Sequence, residues 1–146
     1  MGAFTIRYGQ LVENIVTECI VSKGEIDNPR QNIDSTKCLA IWDSGATSSI
    51  ITRKVIEQLN LQPVGMCQVV GIHGSEYEYT YYVNLMVPGE MEFYTIEVTE
   101  GDLDDVDVLI GMDVILQGDL SISNGNAETI FSFRSPAKEP TIFSDN

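Results

Sequence analysis

The sequence predicts a mostly β domain with one or two short helices. Three observations carry this expectation. Six Tyr and five Phe accompany many Val and Ile, residues that favour strands. Short apolar or alternating runs recur along the chain, parted by Gly, Pro, Asn and Asp turn signals. Helical spacing stands out in one place, where Ile51, Val55 and Leu59 lie four apart and Ile56 joins the same side.

Residues 3–8 and 14–22 read as strands separated by a turn near Gly9. Lys23 to Thr36 is polar, holds Gly24, Asn28, Pro29 and Asn32, and reads as a loop. Cys38 to Trp42 is a short apolar run suited to a buried strand, and it stops at the turn-favouring Asp43-Ser44-Gly45. Thr52 is placed to cap the helix that follows, and Asn60 with Pro63 to end it. From Val69 to Val87 two β-prone arms flank Gly71-Ile72-His73-Gly74-Ser75, the pattern of a hairpin. Pro88-Gly89 marks a turn, Glu92 to Thr99 a strand, and Glu100 to Asp107 an acidic loop. Val108-Leu109-Ile110 is a second buried run that ends on a glycine, Gly111. A short helix over Asp113 to Gln117 and a last hairpin over Ser121 to Phe133, turning at Asn124-Gly125-Asn126, complete the pattern. The chain is expected to form a single domain over residues 1–135, with 136–146 a loose polar tail.

With 146 residues the chain is long enough to bury a core. Its 43% hydrophobic and 21% charged residues are an ordinary globular balance. There is no run of about 18 apolar residues, so no membrane span is expected. Met1 to Gln10 lacks the basic-then-apolar pattern of a signal peptide. Eight Lys and Arg against 22 Asp and Glu give a net charge of −14, which repels nucleic acid; no basic stripe offsets it. Two copies of the chain would repel each other too, so a dimer needs apolar burial and strand pairing. Cys19, Cys38 and Cys67 are odd in number, widely spaced and without a CxxC pair, which argues against structural zinc. Reduced, mostly buried thiols in a cytoplasmic protein are the expectation.

Two elements carry the chemistry. One is Ile41-Trp42-Asp43-Ser44-Gly45-Ala46-Thr47, the other Val108-Leu109-Ile110-Gly111-Met112-Asp113. Each is an apolar strand running into a tight turn, and the glycine-bearing hairpin lies between them. In this order and at these separations they resemble the retropepsin-like aspartic proteases. The resemblance rests on Asp43-Ser44-Gly45-Ala46, on Gly71-Ile72-His73-Gly74 and on Leu109-Ile110-Gly111, and it spans roughly residues 14 to 133. The ending, with Gly111-Met112-Asp113 and Phe131-Ser132-Phe133-Arg134, looks closer to bacterial members than to viral ones.

The resemblance implies a closed or partly open β-barrel of the retropepsin-like type and an aspartic endopeptidase without metal or other cofactor. Peptide hydrolysis of this kind needs a carboxylate to activate water and a carboxylic acid to protonate the scissile group. Two carboxyls about 3 Å apart share one proton and supply both roles, titrating as a pair. That shared proton is the established behaviour of aspartic proteases as a class and is taken over with the resemblance. One motif per chain implies a homodimer with Asp43 near the two-fold axis. The implied partners are a peptide or protein substrate and a second copy, with neither nucleic acid nor membrane.

By the same resemblance, Ser44 sends its hydroxyl across the axis, and Gly45 and Ala46 complete the active-site loop. Leu109, Ile110 and Gly111 support that loop from beneath. Gly71, Ile72, His73 and Gly74 form a flap over an extended peptide bound by strand addition. Thr47 stands where many viral members place an acidic residue that contacts the substrate backbone, and Met112 where they place a bracing Arg.

Plainer readings stand beside these. Asp43 also suits a turn in an inert β domain, and the same fold would serve as a catalytically inactive peptide- or protein-binding module. His73 suits a solvated turn, Trp42 the core, and Asp113 a helix cap or loop brace. The acidic run Glu100, Asp102, Asp104, Asp105 and Asp107 fails as an EF-hand, because Asp107 and Asp113 stand where Gly and Glu are required. A solvated acidic loop is the better reading.

Overall fold

Alternation of buried and exposed side chains shapes the strands, and their pairing curls them into a barrel. The computed structural model describes residues 1–24 and 34–145. In chain order the elements are β1 (Gly2–Arg7), β2 (Val16–Lys23), β3 (Ser35–Trp42), β4 (Ile50–Ile51), α1 (Arg53–Gln58), β5 (Gly65–Gly71) and β6 (Gly74–Val87). They continue with β7 (Met91–Glu100), β8 (Val108–Ile110), α2 (Met112–Ile115), β9 (Asp119–Ser123) and β10 (Ile130–Ser135). The polar stretch read as a loop between β2 and β3 lies mostly at residues 25–33, outside the described residues.

Two sheets result. In the larger, the order is β2-β3-β8-β4-β7-β6-β5, and a further pairing of β2 with β6 closes six of these strands into a barrel. Strand β5 and the first half of β6 project from it as a hairpin. The smaller sheet has the order β1-β10-β9, all antiparallel. Most ladders are antiparallel, but β3 runs parallel to β8, and β4 runs parallel to β7 while antiparallel to β8.

The small sheet caps one end of the core. Strand β10 alternates so that Phe131 and Phe133 point inward, 0% and 1% exposed. With Phe4 from β1 they enclose Trp42, whose ring centroid lies 5.1 Å from Phe131 and 5.0 Å from Phe133. These tilted arrangements suit the aromatic quadrupole. Around them pack Val21, Ala40, Val55, Ile110 and Val114, all fully buried. Helix α1 contributes Val55 and Ile56, the stripe read from its spacing.

The structure adjusts the boundaries. Strand β4 is only two residues long, too short for any periodicity to betray it. Thr52 sits at the start of α1 with extended backbone but makes no side-chain cap; its hydroxyl donates to Asp107 Oδ1 at 2.8 Å instead. Asn60 takes a positive φ of 50° just after the helix, an ordinary use of Asn at a helix end. Residues 136–145 form no helix or strand. Their first part is tied to the small sheet, where the Lys138 N–H donates to Asp119 Oδ2 at 2.8 Å and Arg134 donates to the Glu139 carbonyl.

Two outcomes follow. Phe131→Ala empties the centre of the aromatic cluster, and urea unfolding is expected to show a loss of about 3–5 kcal/mol; a loss under about 1 kcal/mol would contradict the packing described. Asp119 is held below the usual carboxylate range by the Lys138 N–H and by Arg134. A depressed folded value means the tie is complete above the unfolded value and lost as pH falls through the folded one. Protection of the Lys138 amide against hydrogen exchange is expected to follow that course, and Asp119→Asn is expected to weaken it at neutral pH.

Candidate active site

Asp43 follows β3 without an intervening residue. Trp42, the last strand residue, points into the core and donates its indole N–H to the Thr17 hydroxyl at 2.9 Å. Alternation along the chain therefore turns Asp43 away from the core, where it is half-buried. The Ala46 N–H donates to the Asp43 carbonyl at 3.2 Å, closing a four-residue turn. Within the turn the Gly45 N–H donates to Asp43 Oδ1 at 2.8 Å. A Cβ at Gly45 would lie 3.1 Å from that same oxygen, so glycine suits this close approach of backbone to carboxylate.

The turn rests on β8. Ala40, Ile41 and Trp42 pair in parallel with Val108, Leu109 and Ile110, and the Asp43 N–H continues the ladder to the Ile110 carbonyl at 2.9 Å. Gly111 then passes under the loop. A Cβ there would come within 2.8 Å of the Ala46 carbonyl oxygen and 3.0 Å of Ser48 backbone atoms. The Met112 N–H donates to Ala46 at 2.8 Å and the Asp113 N–H to Thr47 at 3.2 Å.

A polar latch completes the support. Ser49 is 1% exposed. Its hydroxyl donates to Asp113 Oδ1 at 2.7 Å and accepts the Gly111 N–H at 3.0 Å. Its own N–H donates to Asp113 Oδ2 at 2.9 Å. Asp113 is thus the loop brace that one of its two sequence readings expected.

The hairpin of β5 and β6 turns through Ile72 and His73, with Gly71 and Gly74 as its last pair. Gly74 has φ of 116°, a conformation that glycine adopts freely. All four tip residues are exposed, Ile72 to 98%.

The family profile described as "gag-polyprotein putative aspartyl protease" matches residues 30–117, more than half of the chain. The chain belongs to the retropepsin-like aspartic protease family. Among solved structures, the protease of EIAV, complexed with the inhibitor HBY-793, is similar with a TM-score of 0.53 at 16% identity, over 72% of this chain and 88% of that one. The solution structure of the simian foamy virus (mac) protease gives a TM-score of 0.48 at 24% identity, over 69% and 91%. A retropepsin-like aspartic protease from Rickettsia conorii gives 0.45 at 16% identity, over 84% and 95%. No curated protein matches the chain.

In this retropepsin-like chain the structure gathers Asp43, Ser44, Gly45 and Ala46 over Leu109, Ile110 and Gly111. It leaves Gly71, Ile72, His73 and Gly74 in solvent at the hairpin tip. Thr47 is exposed, with its carbonyl engaged by Asp113. Met112 is partly buried against the core, a packing role with no ion pair to make. The stretch read as an acidic loop begins one residue later than expected, since Glu100 ends β7; Glu100 pairs with Arg53 and Asp107 with Lys54. No helix among the described residues is long and apolar enough to cross a membrane.

Sequence reasoning missed Ser49. A serine beside Ser48 in a polar run carries no periodic signal, and only its burial reveals it. Ser49→Ala strips a hydrogen-bond donor from Asp113 and an acceptor from the Gly111 N–H. Denaturant unfolding is expected to show a loss of about 1–3 kcal/mol; an unchanged midpoint would remove the latch from the account.

Proposed function

We propose that the chain is an aspartic endopeptidase that hydrolyses peptide bonds as a homodimer, with water activated by Asp43 and the Asp43 of a second copy. The observation that carries this reading is the placement of Asp43. Its side chain leaves the core at the end of β3, which alternates with Ala40 and Trp42 buried and Leu39 exposed rather than being the buried strand the sequence suggested, and the Gly45 N–H orients one carboxylate oxygen. Family membership supports the same reading, and so does the support built from Ile110, Gly111 and Ser49.

In the proposed reaction one carboxylate of the pair takes a proton from water as the water attacks the scissile carbonyl. The protonated partner donates to the carbonyl oxygen, and a proton then passes to the leaving amine. Ser44 would hold the two loops together across the axis. Gly71, Ile72, His73, Gly74 and Thr47 would contact an extended substrate, with the hairpin adding backbone hydrogen bonds as a neighbouring strand. The three unbridged thiols fit a reducing compartment such as the cytoplasm.

Cleavage of a mixed peptide library, followed by mass spectrometry across pH, tests this directly. Wild type is expected to cleave, best at mildly acidic pH where the pair holds one proton. Asp43→Asn is expected to lose about 10²-fold or more in rate with its circular dichroism unchanged. Equal cleavage by the variant would remove Asp43 from the mechanism. A rate that keeps rising above neutral pH would remove the shared proton. Peptide binding without turnover at every pH would favour the non-catalytic binding module.

A further inference from the structure

Cys19 of β2 and Cys38 of β3 face each other across an antiparallel ladder as register partners. Partners in such a ladder project from the same face. Here it is the inner face, shared with Thr17 and Val21 on β2 and with Ala40 and Trp42 on β3. The Trp42 N–H donates to the Ile15 carbonyl at 2.9 Å, which sets the parity of the ladder. Four positions further along each strand, Cys19 and Cys38 fall on the same hydrogen-bonded type of pair. The Cα atoms of such pairs are about 5.5 Å apart, inside the range of about 4.4–6.8 Å that a disulfide spans. The Cys38 S–H donates to the Thr36 carbonyl at 3.8 Å.

The two thiols are unequal. Cys19 is 3% exposed, whereas Cys38 is only partly buried. The Cys19 thiol lowers the Cys38 thiol against the opposing effects of burial and of Asp107, and Lys54 adds a smaller lowering. Sharing with Cys38, together with burial, pushes the Cys19 thiol up. A partly exposed thiol whose ionisation its neighbour favours, with a buried second thiol as its register partner, is the arrangement of an attacking and a resolving cysteine. Cys67 has no such partner: its sulfur lies 3.4 Å from the Thr99 hydroxyl at the base of the hairpin.

We propose that Cys19 and Cys38 form a reversible dithiol–disulfide site that exchanges with low-molecular-weight disulfides. The Cys38 thiolate attacks one sulfur of the disulfide RSSR, forming a mixed disulfide and releasing RS⁻. Cys19 then loses its proton and attacks the Cys38 sulfur, closing the Cys19–Cys38 bond and expelling the second RS⁻. The protein loses two electrons and two protons, and RSSR becomes two RSH. The bridge ties β2 to the strand that delivers Asp43, but the exchange itself does not depend on the protease reading.

The test treats the native full-length chain with oxidised glutathione and quenches it in acid. Intact mass, thiol titration and peptide mapping follow. Wild type is expected to lose the mass of two hydrogens, to fall from three free thiols to one, and to yield a cross-linked Cys19–Cys38 peptide. Cys67→Ser is expected to bridge in the same way. Cys19→Ser is expected to stop at one stable glutathione adduct on Cys38. The proposal is overturned if folded wild type keeps all three thiols, stops at a stable adduct, or bridges through Cys67. Should Cys19→Ser fail to fold, the wild-type peptide map decides alone.

Discussion

Parallel pairing of β3 with β8 fixes where the Asp43 loop can lie. Only three residue pairs form it, yet the Asp43 N–H, the Gly111 backbone and the buried hydroxyl of Ser49 all take their positions from it. Parallel neighbours cannot be joined by a tight turn and need a long crossover. The hairpin, α1 and the acidic loop all lie in the crossover between Trp42 and Val108. A shift of one residue between β3 and β8 would turn Trp42 out of its aromatic cage and drive Asp43 toward the core. The aromatic cluster therefore does more than fill space. By locking the face of Trp42 it locks the opposite face of Asp43.

The same arrangement explains why glycine and serine recur near the loop. Backbone passes very close to backbone at Gly111, and an N–H meets a carboxylate at Gly45. Ser49 and Asp113 satisfy polar groups that burial would otherwise leave costly. Charge works against association: at −14 per chain, two copies repel, and higher salt screens that repulsion. The proposed dimer must overcome this by apolar contact or strand pairing.

Much of the fold was legible in the sequence because its signals are local. The short apolar runs before Asp43 and Gly111, the glycine hairpin at Gly71 to Gly74, and the Ile51, Val55, Leu59 stripe each name an element without tertiary information. The parallel register was not legible, nor was the two-residue β4, since neither leaves a period. Thr52 shows a local rule overridden, because its side chain is turned to donate to Asp107 and accepts no N–H of the helix start. Ser49 shows a residue whose importance comes wholly from burial. The Cys19 and Cys38 pairing is a third case. Nineteen positions apart in sequence, they look unrelated until the ladder sets them opposite each other.

The central claim is that two copies of Asp43 act on one water molecule. Subunit mixing tests it most directly. A fixed amount of wild-type chain is mixed with increasing Asp43→Asn chain, equilibrated, and assayed for peptide cleavage. Activity per wild-type chain is predicted to fall toward zero as mixed dimers replace wild-type dimers. Constant activity per wild-type chain at every ratio, with mixed dimers shown to form, would contradict the account.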